Sequence, residues 1–303
     1  MRRTPRTAAA RRADCPGEPA PDIGRLPEPP RKDCPWCGSP RLRSRPRARH
    51  PLWPGAFGVD VCRDCSHVFR NPRPTAEELA RHDSDAPDGH PGRHRLAERL
   101  LGARASARRH RAAARALLPL VEPESWLDVG TGHGHFPEAA REIHPYTSFD
   151  GLDPTRRVHR ACAAGRLEEA HRGHLTDPAI LARLRSRYDV VSMLRHLEHT
   201  PDPRAELRAA LTLLRPGGHL LVESAGPGRA FGRLPGKGWW ALHGRPRGLH
   251  LVPQANLLAE LEALGCAIVD ATATANRAPA TLPRLLRLST AYRVIARRPP
   301  SPA

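Results

Sequence analysis

Four cysteines near the N-terminus occur as two Cys-x-x-Cys pairs. Cys34 and Cys37 form the first pair, and Cys62 and Cys65 form the second. Four thiolates on two tight turns can surround one zinc ion tetrahedrally, and such a ligand set leaves no coordination position open for a reaction. The spacing therefore predicts a structural zinc ion, because a redox motif would need only one pair. Two chance pairs or a redox pair are the alternative.

A second stretch whose residues could bind a ligand covers residues 125–136. In it, an apolar segment passes through a glycine-rich turn into a helical segment. Gly130, Gly132 and Gly134 alternate with other residues in the turn, and Asp128 precedes them. The dinucleotide fingerprint Gly-x-Gly-x-x-Gly does not fit, since a histidine stands in place of its third glycine. A carboxylate ahead of the turn suits a ligand with an ammonium group and repels a pyrophosphate. The alternative is an ordinary strand-to-helix connection.

The pattern Asp-x-Gly-x-Gly-x-Gly that ends at Gly134 resembles the first motif of the class I S-adenosylmethionine-dependent methyltransferases. The methionine end of that cofactor carries the ammonium group. The resemblance implies that Asp153, at the end of the next predicted strand, binds both ribose hydroxyls, with Asp150 as a competitor inside the strand. We expect Leu175 to make an apolar contact with the adenine. The cofactor-binding residues that the resemblance implies are Asp128, Gly130, Thr131, Gly132, Gly134, Asp153, Pro154, Leu175 and Leu194.

Histidines beyond the fourth predicted strand, residues 188–194, are candidates for acid–base chemistry. Ligands of open α/β sheets bind beyond the carboxyl ends of the strands. Residues 195–203 resemble the family's motif at the active-site end of this strand. We expect a general base among His196, His199 and His250, because imidazole titrates near neutrality. For His196 and His199 the alternative is capping of the next helix or packing under the cofactor.

Two details of the resemblance concern metal ions. In some quinone-modifying relatives an acidic residue precedes the Glu-His pair and holds a metal ion with it. Arg195 takes that position here, which argues against a metal ion at this place. The twin cysteine pairs and the helix start at Thr75 resemble a subgroup of methyltransferases with an N-terminal zinc-binding module. His250 resembles a histidine that this subgroup places before its penultimate helix.

The order of the predicted strands and helices that position these residues indicates an α/β fold. Short apolar strands alternate with helices, which is typical of a doubly wound sheet. The resemblance implies a Rossmann-like seven-stranded methyltransferase sheet whose last strand is antiparallel, with a small N-terminal zinc ribbon. Thr75 and Glu78 form a capping box that predicts a helix start. The apolar spacing over residues 93–120 predicts an amphipathic helix pair.

The predicted domain order follows from composition and motifs. Residues 1–30, which are rich in Pro and Arg, cannot bury enough apolar surface to offset their ordering entropy. We expect His67 on the solvent side of the ribbon, with a role as a substitute metal ligand as the alternative. We expect Trp239 and Trp240 over the substrate side of the cleft, with simple core packing as the alternative. The full prediction is a disordered basic tail at 1–30, a zinc-ribbon module at 31–75, a helical linker or lid at 76–120, a class I methyltransferase domain at 121–298 and a disordered tail at 299–303.

Composition limits the classes of partner. The chain has 303 residues and a formal net charge of +18, which raises the question of nucleic acid. Almost all of its basic residues are arginines scattered through every segment, and only Lys32 and Lys237 are lysines. A composition bias explains this pattern better than a selected basic face does. We expect no membrane partner, since no apolar run approaches the roughly 18 residues of a membrane span, and a cytoplasmic, reducing location.

Three functions remain open from the sequence. The first is a methyltransferase for a small-molecule acceptor, with O-, N- or C-methylation. The second is an RNA methyltransferase whose zinc ribbon grips the nucleic acid, although no aromatic platform for base stacking is evident. The third is a non-catalytic module that binds the cofactor and a protein partner. The implied cofactors are S-adenosylmethionine and a structural zinc ion, and the oligomeric state stays open.

Overall fold

The computed structural model describes residues 28–44, 48–50, 53–75, 77–79, 96–227, 248–274 and 289–300. For residues 48–50, 53–57, 96–103 and 289–290 it describes the backbone only. Most of the two predicted disordered tails, together with Trp239 and Trp240, lies outside the described residues.

Thirteen strands lie within the described residues. In chain order they are β1 (Leu42–Ser44), β2 (Ala48–His50), β3 (Trp53–Phe57), β4 (Val59–Cys62), β5 (Val68–Arg70), β6 (Ser125–Val129), β7 (Ser148–Asp153), β8 (Ala170–Arg172), β9 (Tyr188–Leu194), β10 (Leu214–Pro227), β11 (His250–Leu251), β12 (Ala267–Thr274) and β13 (Ser289–Arg297). The described α-helices are α1 (Leu96–Arg115), α2 (His135–Arg141), α3 (Arg157–Ala163), α4 (Pro178–Leu184), α5 (Pro203–Leu213) and α6 (Gln254–Ala263).

A seven-stranded sheet forms the centre of the structure. Its strands lie in the order β12-β13-β10-β9-β6-β7-β8. Strands β10, β9, β6, β7 and β8 pair in parallel, whereas β13 is antiparallel to both β10 and β12. The predicted sheet with an antiparallel last strand is therefore confirmed. The carboxyl ends of β6, β7 and β9 share one edge, where such sheets bind their ligands.

Both faces of this sheet are buried, which explains why β6 has apolar residues on either side. Trp126 packs on one face with Phe136 and Phe149, and Leu127 packs on the other face with Val191. The helix α1 covers the first face through Ala113 and Ala114, and Leu117, two residues after the helix, packs beside them.

The predicted helix pair over residues 93–120 is wrong, because α1 is one helix of 20 residues followed by turns. No proline interrupts the chain between residues 96 and 118. Alanine and arginine, which dominate this segment, both favour a continuous helix. Farther upstream, the predicted capping box is confirmed, since the Thr75 N–H donates to Glu78 at 3.0 Å and the Glu78 N–H donates to the Thr75 hydroxyl at 3.2 Å. None of the helices in the described part of the chain combines the length and apolar character that a membrane crossing requires.

The cysteine-rich segment forms a smaller antiparallel sheet in the order β1-β4-β5-β11. Its last strand comes from a distant part of the chain, and His250 pairs with Phe69. Cys34 and Trp36 belong to the same apolar cluster as Leu257 of α6. The small sheet and the large sheet therefore share one core.

Polar contacts fix both cysteine turns to the large domain, which is the seven-stranded sheet together with the helices α1–α6. A guanidinium N–H of Arg204, in α5, donates to the Trp36 carbonyl at 3.0 Å. The side-chain amide of Asn256, in α6, donates to the Cys65 carbonyl at 3.0 Å. Each Cys-x-x-Cys turn is thus held by a different helix of the large domain.

Candidate active site and cysteine cluster

The glycine-rich turn connects β6 to α2 at the carboxyl edge of the large sheet. Gly130 and Gly132 have φ angles of 73° and 53°, a conformation that favours glycine. A methyl group added at Gly132 would meet no heavy atom within 4 Å, so the backbone is open there. At Gly130 the added carbon would lie 2.7 Å from Nδ1 of His196. The turn therefore has one open position and one that a histidine ring covers.

Asp153 ends β7 directly beside this turn. Its Oδ2 accepts the Gly132 N–H at 3.0 Å, and its Oδ1 accepts the Thr155 N–H at 2.9 Å. The residue is 8% exposed. The structure thus brings the predicted ribose ligand into contact with the predicted glycine turn, while Asp150 lies inside the strand and accepts the Tyr188 hydroxyl at 2.8 Å.

Asp128 lies near the end of β6 and is buried. Its Oδ1 accepts the Ser192 hydroxyl at 2.7 Å, and Ser192 in turn accepts the indole N–H of Trp126 at 3.0 Å. Burial raises the pKa of Asp128 to about 7, and the nearby charge of Asp153 contributes to the increase, although Ser192 opposes it. This carboxyl group therefore changes its charge near neutral pH, unlike an ordinary aspartate.

His196 lies two residues beyond the end of β9, and its ring reaches over the turn. Its Nε2 lies 3.0 Å from Oε2 of Glu206, which projects from α5. The Glu206 side chain is 7% exposed and the His196 side chain is 17% exposed. Of the three predicted histidines, His196 is the one whose ring adjoins the glycine turn.

His199 lies in the 3₁₀ helix Leu197–His199, and its backbone N–H donates to the His196 carbonyl at 2.9 Å. Within the same segment Glu198 is buried, and Oε1 of Glu198 accepts the Ala225 N–H at 2.9 Å. Arg195 adopts a positive φ of 59°, and its Nε lies 3.1 Å from the same carboxylate oxygen. Arg195, which takes the position of the acidic metal ligand in some quinone-modifying relatives, thus places a positive charge beside Glu198.

His250 lies in the small sheet. Its Nδ1 is 3.0 Å from Nε2 of His67, and both rings are buried. Burial lowers the pKa of His250 to about 4. The expected solvent-side position of His67 is wrong, because the β5–β11 pairing covers this face of the ribbon. The structure therefore places the His250 ring against His67 in the small sheet, whereas the His196 ring lies over Gly130.

The remaining predicted cofactor residues surround the same edge of the large sheet. Leu175 follows β8 and is buried in the core. Leu194 ends β9 opposite Glu223. The Pro154 carbonyl accepts the Arg172 guanidinium at 3.2 Å. The roles of these residues, and of Thr131 and Gly134 in the turn, stay predictions.

The four paired cysteines converge on one point. Sγ of Cys34 lies 3.6 Å from Sγ of Cys65, and Sγ of Cys37 lies 3.6 Å from Sγ of Cys62. All four sulfur atoms lie within 4.8 Å of one another. Four sulfurs bound to one zinc ion at about 2.3 Å are about 3.8 Å apart. The cluster therefore has the size and the donor set that zinc requires.

A second group, Asp150, Glu169 and His171, also brings possible metal ligands together. The Arg187 guanidinium lies 3.3 Å from the Asp150 carboxylate and 2.5 Å from the Glu169 carboxylate. This group already contains a cation, and the Tyr188 hydroxyl donates to the same buried aspartate. The arrangement is a network of ion pairs and hydrogen bonds that joins β7, β8 and β9.

Solved structures with the same fold include a geranyl diphosphate methyltransferase in complex with SAM, which is 12% identical, has a TM-score of 0.53 and aligns over 69% of this chain and 93% of that chain. The cyclase SpnF is 20% identical, has a TM-score of 0.50 and aligns over 65% of this chain and 83% of that chain. These similarities show the fold. Because one of these proteins is named a cyclase, the fold by itself does not determine the reaction.

Curated relatives are more similar in sequence over a shorter region. A ubiquinone biosynthesis O-methyltransferase of Ralstonia nicotianae is 32% identical over 101 residues, which are 32% of this chain and 42% of that protein. The corresponding protein of Aeromonas salmonicida is 36% identical over 100 residues, again 32% of this chain and 42% of that protein. The chain thus spans about two fifths of the length of these relatives.

A family model described as a methyltransferase domain matches residues 95–271. The match covers more than half of the chain and includes the glycine turn, Asp153, His196 and His250. This chain belongs to that methyltransferase family.

Proposed function

We propose that this enzyme transfers a methyl group from S-adenosylmethionine to a small-molecule acceptor, and that the acceptor atom is a hydroxyl oxygen. The observation that carries the proposal is the convergence of Asp128, Asp153 and His196 on one open glycine turn. The O-methyltransferase names of the relatives support a hydroxyl acceptor.

The residues at the turn fit the cofactor. The Asp153 carboxylate, beside the Gly132 N–H, would accept the ribose hydroxyls, and the open backbone at Gly132 would allow close approach. Asp128 would attract the ammonium group at the methionine end. The residues that complete the proposed site are Gly130, Thr131, Gly134, Pro154, Leu175 and Leu194.

When bound, S-adenosylmethionine supplies a methyl group made electrophilic by the positive sulfonium. The protein then has to hold the acceptor in line and keep water away, and this alignment supplies most of the acceleration. A hydroxyl must also lose its proton as the new bond forms. We propose His196 as the general base that accepts this proton. His199 and His250 are the less favoured candidates, because the ring nearest to an added carbon at Gly130 is that of His196 and the His250 ring is buried against His67.

We further propose that Cys34, Cys37, Cys62 and Cys65 hold a structural zinc ion, so that residues 31–75 form a zinc ribbon in front of the methyltransferase domain at 121–298, with 76–120 as a helical linker. A site closed by four thiolates has no position for substrate. Zinc would therefore support the ribbon and take no part in methyl transfer. One zinc ion per chain in elemental analysis, lost on Cys62→Ser but retained on Cys162→Ser, is the expected result.

Two measurements test the proposed reaction. Calorimetry should show that S-adenosylhomocysteine binds the wild type and that Asp153→Asn weakens this binding. Methyl-labelled cofactor should then be incubated with the protein and a cell extract, with and without ribonuclease. We expect label in the ribonuclease-resistant small-molecule fraction, and none with Asp153→Asn. Label confined to a ribonuclease-sensitive fraction would replace the proposal with an RNA methyltransferase, and absence of cofactor binding would end it.

A further inference from the structure

Glu206 is a buried acid in a helix that otherwise supports the large domain. Its carboxylate lies 3.0 Å from Nε2 of His196, and its side chain is 7% exposed. A carboxylate removed from water to this extent is stable only if a donor satisfies it. The His196 ring supplies that donor.

The contact selects one form of the neutral imidazole ring. An ionised carboxylate only accepts hydrogen bonds, so Nε2 of His196 must carry the hydrogen atom. Nδ1 is then left with a lone pair. Nδ1 is the nitrogen that lies over Gly130. A Cβ atom added at Gly130 would be 2.7 Å from it. The free lone pair therefore faces the glycine turn.

Two side chains from other elements interact with the ring. Glu206 faces it from α5, and Asp128 interacts with it electrostatically from β6. Both groups are acidic.

The position of Glu206 is itself well fixed. The residue lies in the first turn of α5, where its N–H donates to the Asp202 carbonyl at 3.1 Å. The Asp202 side chain caps this helix by accepting the N–H groups of Arg204 and Ala205, both at 3.0 Å. A rigid helix start thus holds the carboxylate against the ring.

We infer that Glu206 is a positioning residue for methyl transfer: it holds His196 in the Nε2–H form so that Nδ1 can accept the acceptor's proton beside the glycine turn. The inference rests on the proposed function, because it assigns the partner of the proposed base. The proposed step balances: the acceptor O–H bond breaks as the Nδ1–H bond forms, the oxygen electrons form the bond to the methyl carbon, and the electron pair of the broken sulfur–methyl bond would stay on the sulfur of S-adenosylhomocysteine.

Nitrogen-15 NMR of the imidazole rings tests the inference without knowledge of the acceptor. The His196 signals are identified by their loss in His196→Asn, and the whole protein is measured with S-adenosylhomocysteine bound. We expect the Nε2–H form in the wild type. In Glu206→Gln the signal should shift toward a mixture of both forms, because the amide can also donate to the ring. Glu262→Gln, which changes an exposed acid of α6, should leave the signal unchanged.

Activity supplies the second readout, with the labelled small-molecule fraction as the acceptor. Glu206→Gln should lower the rate at saturating cofactor by at least about tenfold, displace the pH–rate profile and leave the affinity for S-adenosylhomocysteine within about twofold. Glu206→Asp should restore part of the rate. An Nδ1–H form in the wild type, or the same ring form in wild type and Glu206→Gln, would overturn the inference. Failure of the wild type to bind S-adenosylhomocysteine would instead contradict the proposed function.

Discussion

The Asp128 carboxyl group titrates near neutral pH, and this has a consequence for ligand binding. Its pKa is raised to about 7 by burial, so the group is largely neutral below pH 7. A cationic ammonium partner requires the anion. The affinity for S-adenosylhomocysteine should therefore fall by up to about tenfold per unit as the pH decreases below 7. Calorimetry at pH 6 and pH 8 measures the difference.

Two variants control this pH prediction. Asp128→Asn should bind weakly at both pH values, because it has no titrating carboxyl group. Asp153→Asn should bind weakly but keep the pH dependence. A wild-type affinity that is constant between pH 6 and pH 8 would show that Asp128 does not face the ammonium group.

The same shift predicts a stability change without ligand. In the unfolded chain Asp128 loses its proton near its ordinary pKa of 3.8, whereas in the folded protein it does so near 7. Between these values the folded state binds the extra proton, so the contribution of this group to stability decreases as the pH rises. Thermal unfolding of Asp128→Asn should lack this part of the pH dependence. Parallel curves for the variant and the wild type would contradict the prediction.

Alanine variants of Gly130 and Gly165 allow the effect of backbone strain to be measured separately from the effect of crowding. Both have a positive φ, but an added carbon at Gly165 meets nothing within 4 Å, whereas at Gly130 it meets the His196 ring. Gly130→Ala and Gly165→Ala should each cost about 1–2 kcal/mol of unfolding free energy for the left-handed conformation. Only Gly130→Ala should also displace His196 and weaken S-adenosylhomocysteine binding. Equal ligand affinities in the two variants would refute the proximity of this ring to the ligand.

Single residues differ in how far the sequence predicts them. Asp153 was predictable as a neighbour of the glycine turn, since both lie at the ends of adjacent parallel strands. Glu206 was not predictable, because a glutamate in the first turn of a helix is usually a solvated residue that favours the helix dipole. The predicted solvent-side position of His67 was wrong. Its burial depends on β11, a strand that is distant in the sequence.

At the level of elements, the cap of α5 controls the position of the proposed acid–base pair. Asp202→Ala should cost about 1 kcal/mol of unfolding free energy. Asp177 caps α4 in the same way, by accepting the Ala179 N–H at 2.9 Å. Asp177→Ala is thus a matched control with a similar cost. Only Asp202→Ala should alter the His196 ring signals in nitrogen-15 NMR. If both variants alter those signals, or neither does, the cap of α5 does not position the pair.

Elements with local signals were predictable, and elements that depend on distant partners were not. The capping box at Thr75 and the stop of α6 before Gly265 follow from neighbouring residues. Gly265 has a φ of 80°, as the end of a helix often requires. The short strand β11 has only two residues, too few for a periodic pattern. Its pairing with β5 is set by tertiary packing alone.

At the scale of the whole molecule, the small sheet and the large sheet form one packed structure. They share a core, and Arg204 and Asn256 hold one cysteine turn each. The proposed zinc ion therefore stabilises more than the ribbon. Its loss should loosen the contacts of β5 with β11 and the first turn of α5.

Zinc removal tests this connection by hydrogen exchange. Treatment with a chelator should accelerate amide exchange in residues 248–252 as well as in residues 59–70. We expect an acceleration of at least about tenfold, or about 1.4 kcal/mol of local stability. Exchange in β7, which lies in the large sheet away from the ribbon, should change less. Added zinc should restore the original rates. If only residues 59–70 respond, the ribbon is energetically independent.

The pairing of Phe69 with His250 also constrains the order of events during synthesis. A nascent chain exposes β5 as an open edge while the ribosome still has most of the polypeptide to add. That edge is a template for wrong partners until β11 emerges from the exit tunnel. Bound metal at the cysteine cluster would shorten this vulnerable interval by ordering the early segment in advance. Expression under zinc starvation should accordingly yield more aggregated protein, even though the proposed zinc ion takes no part in the proposed reaction.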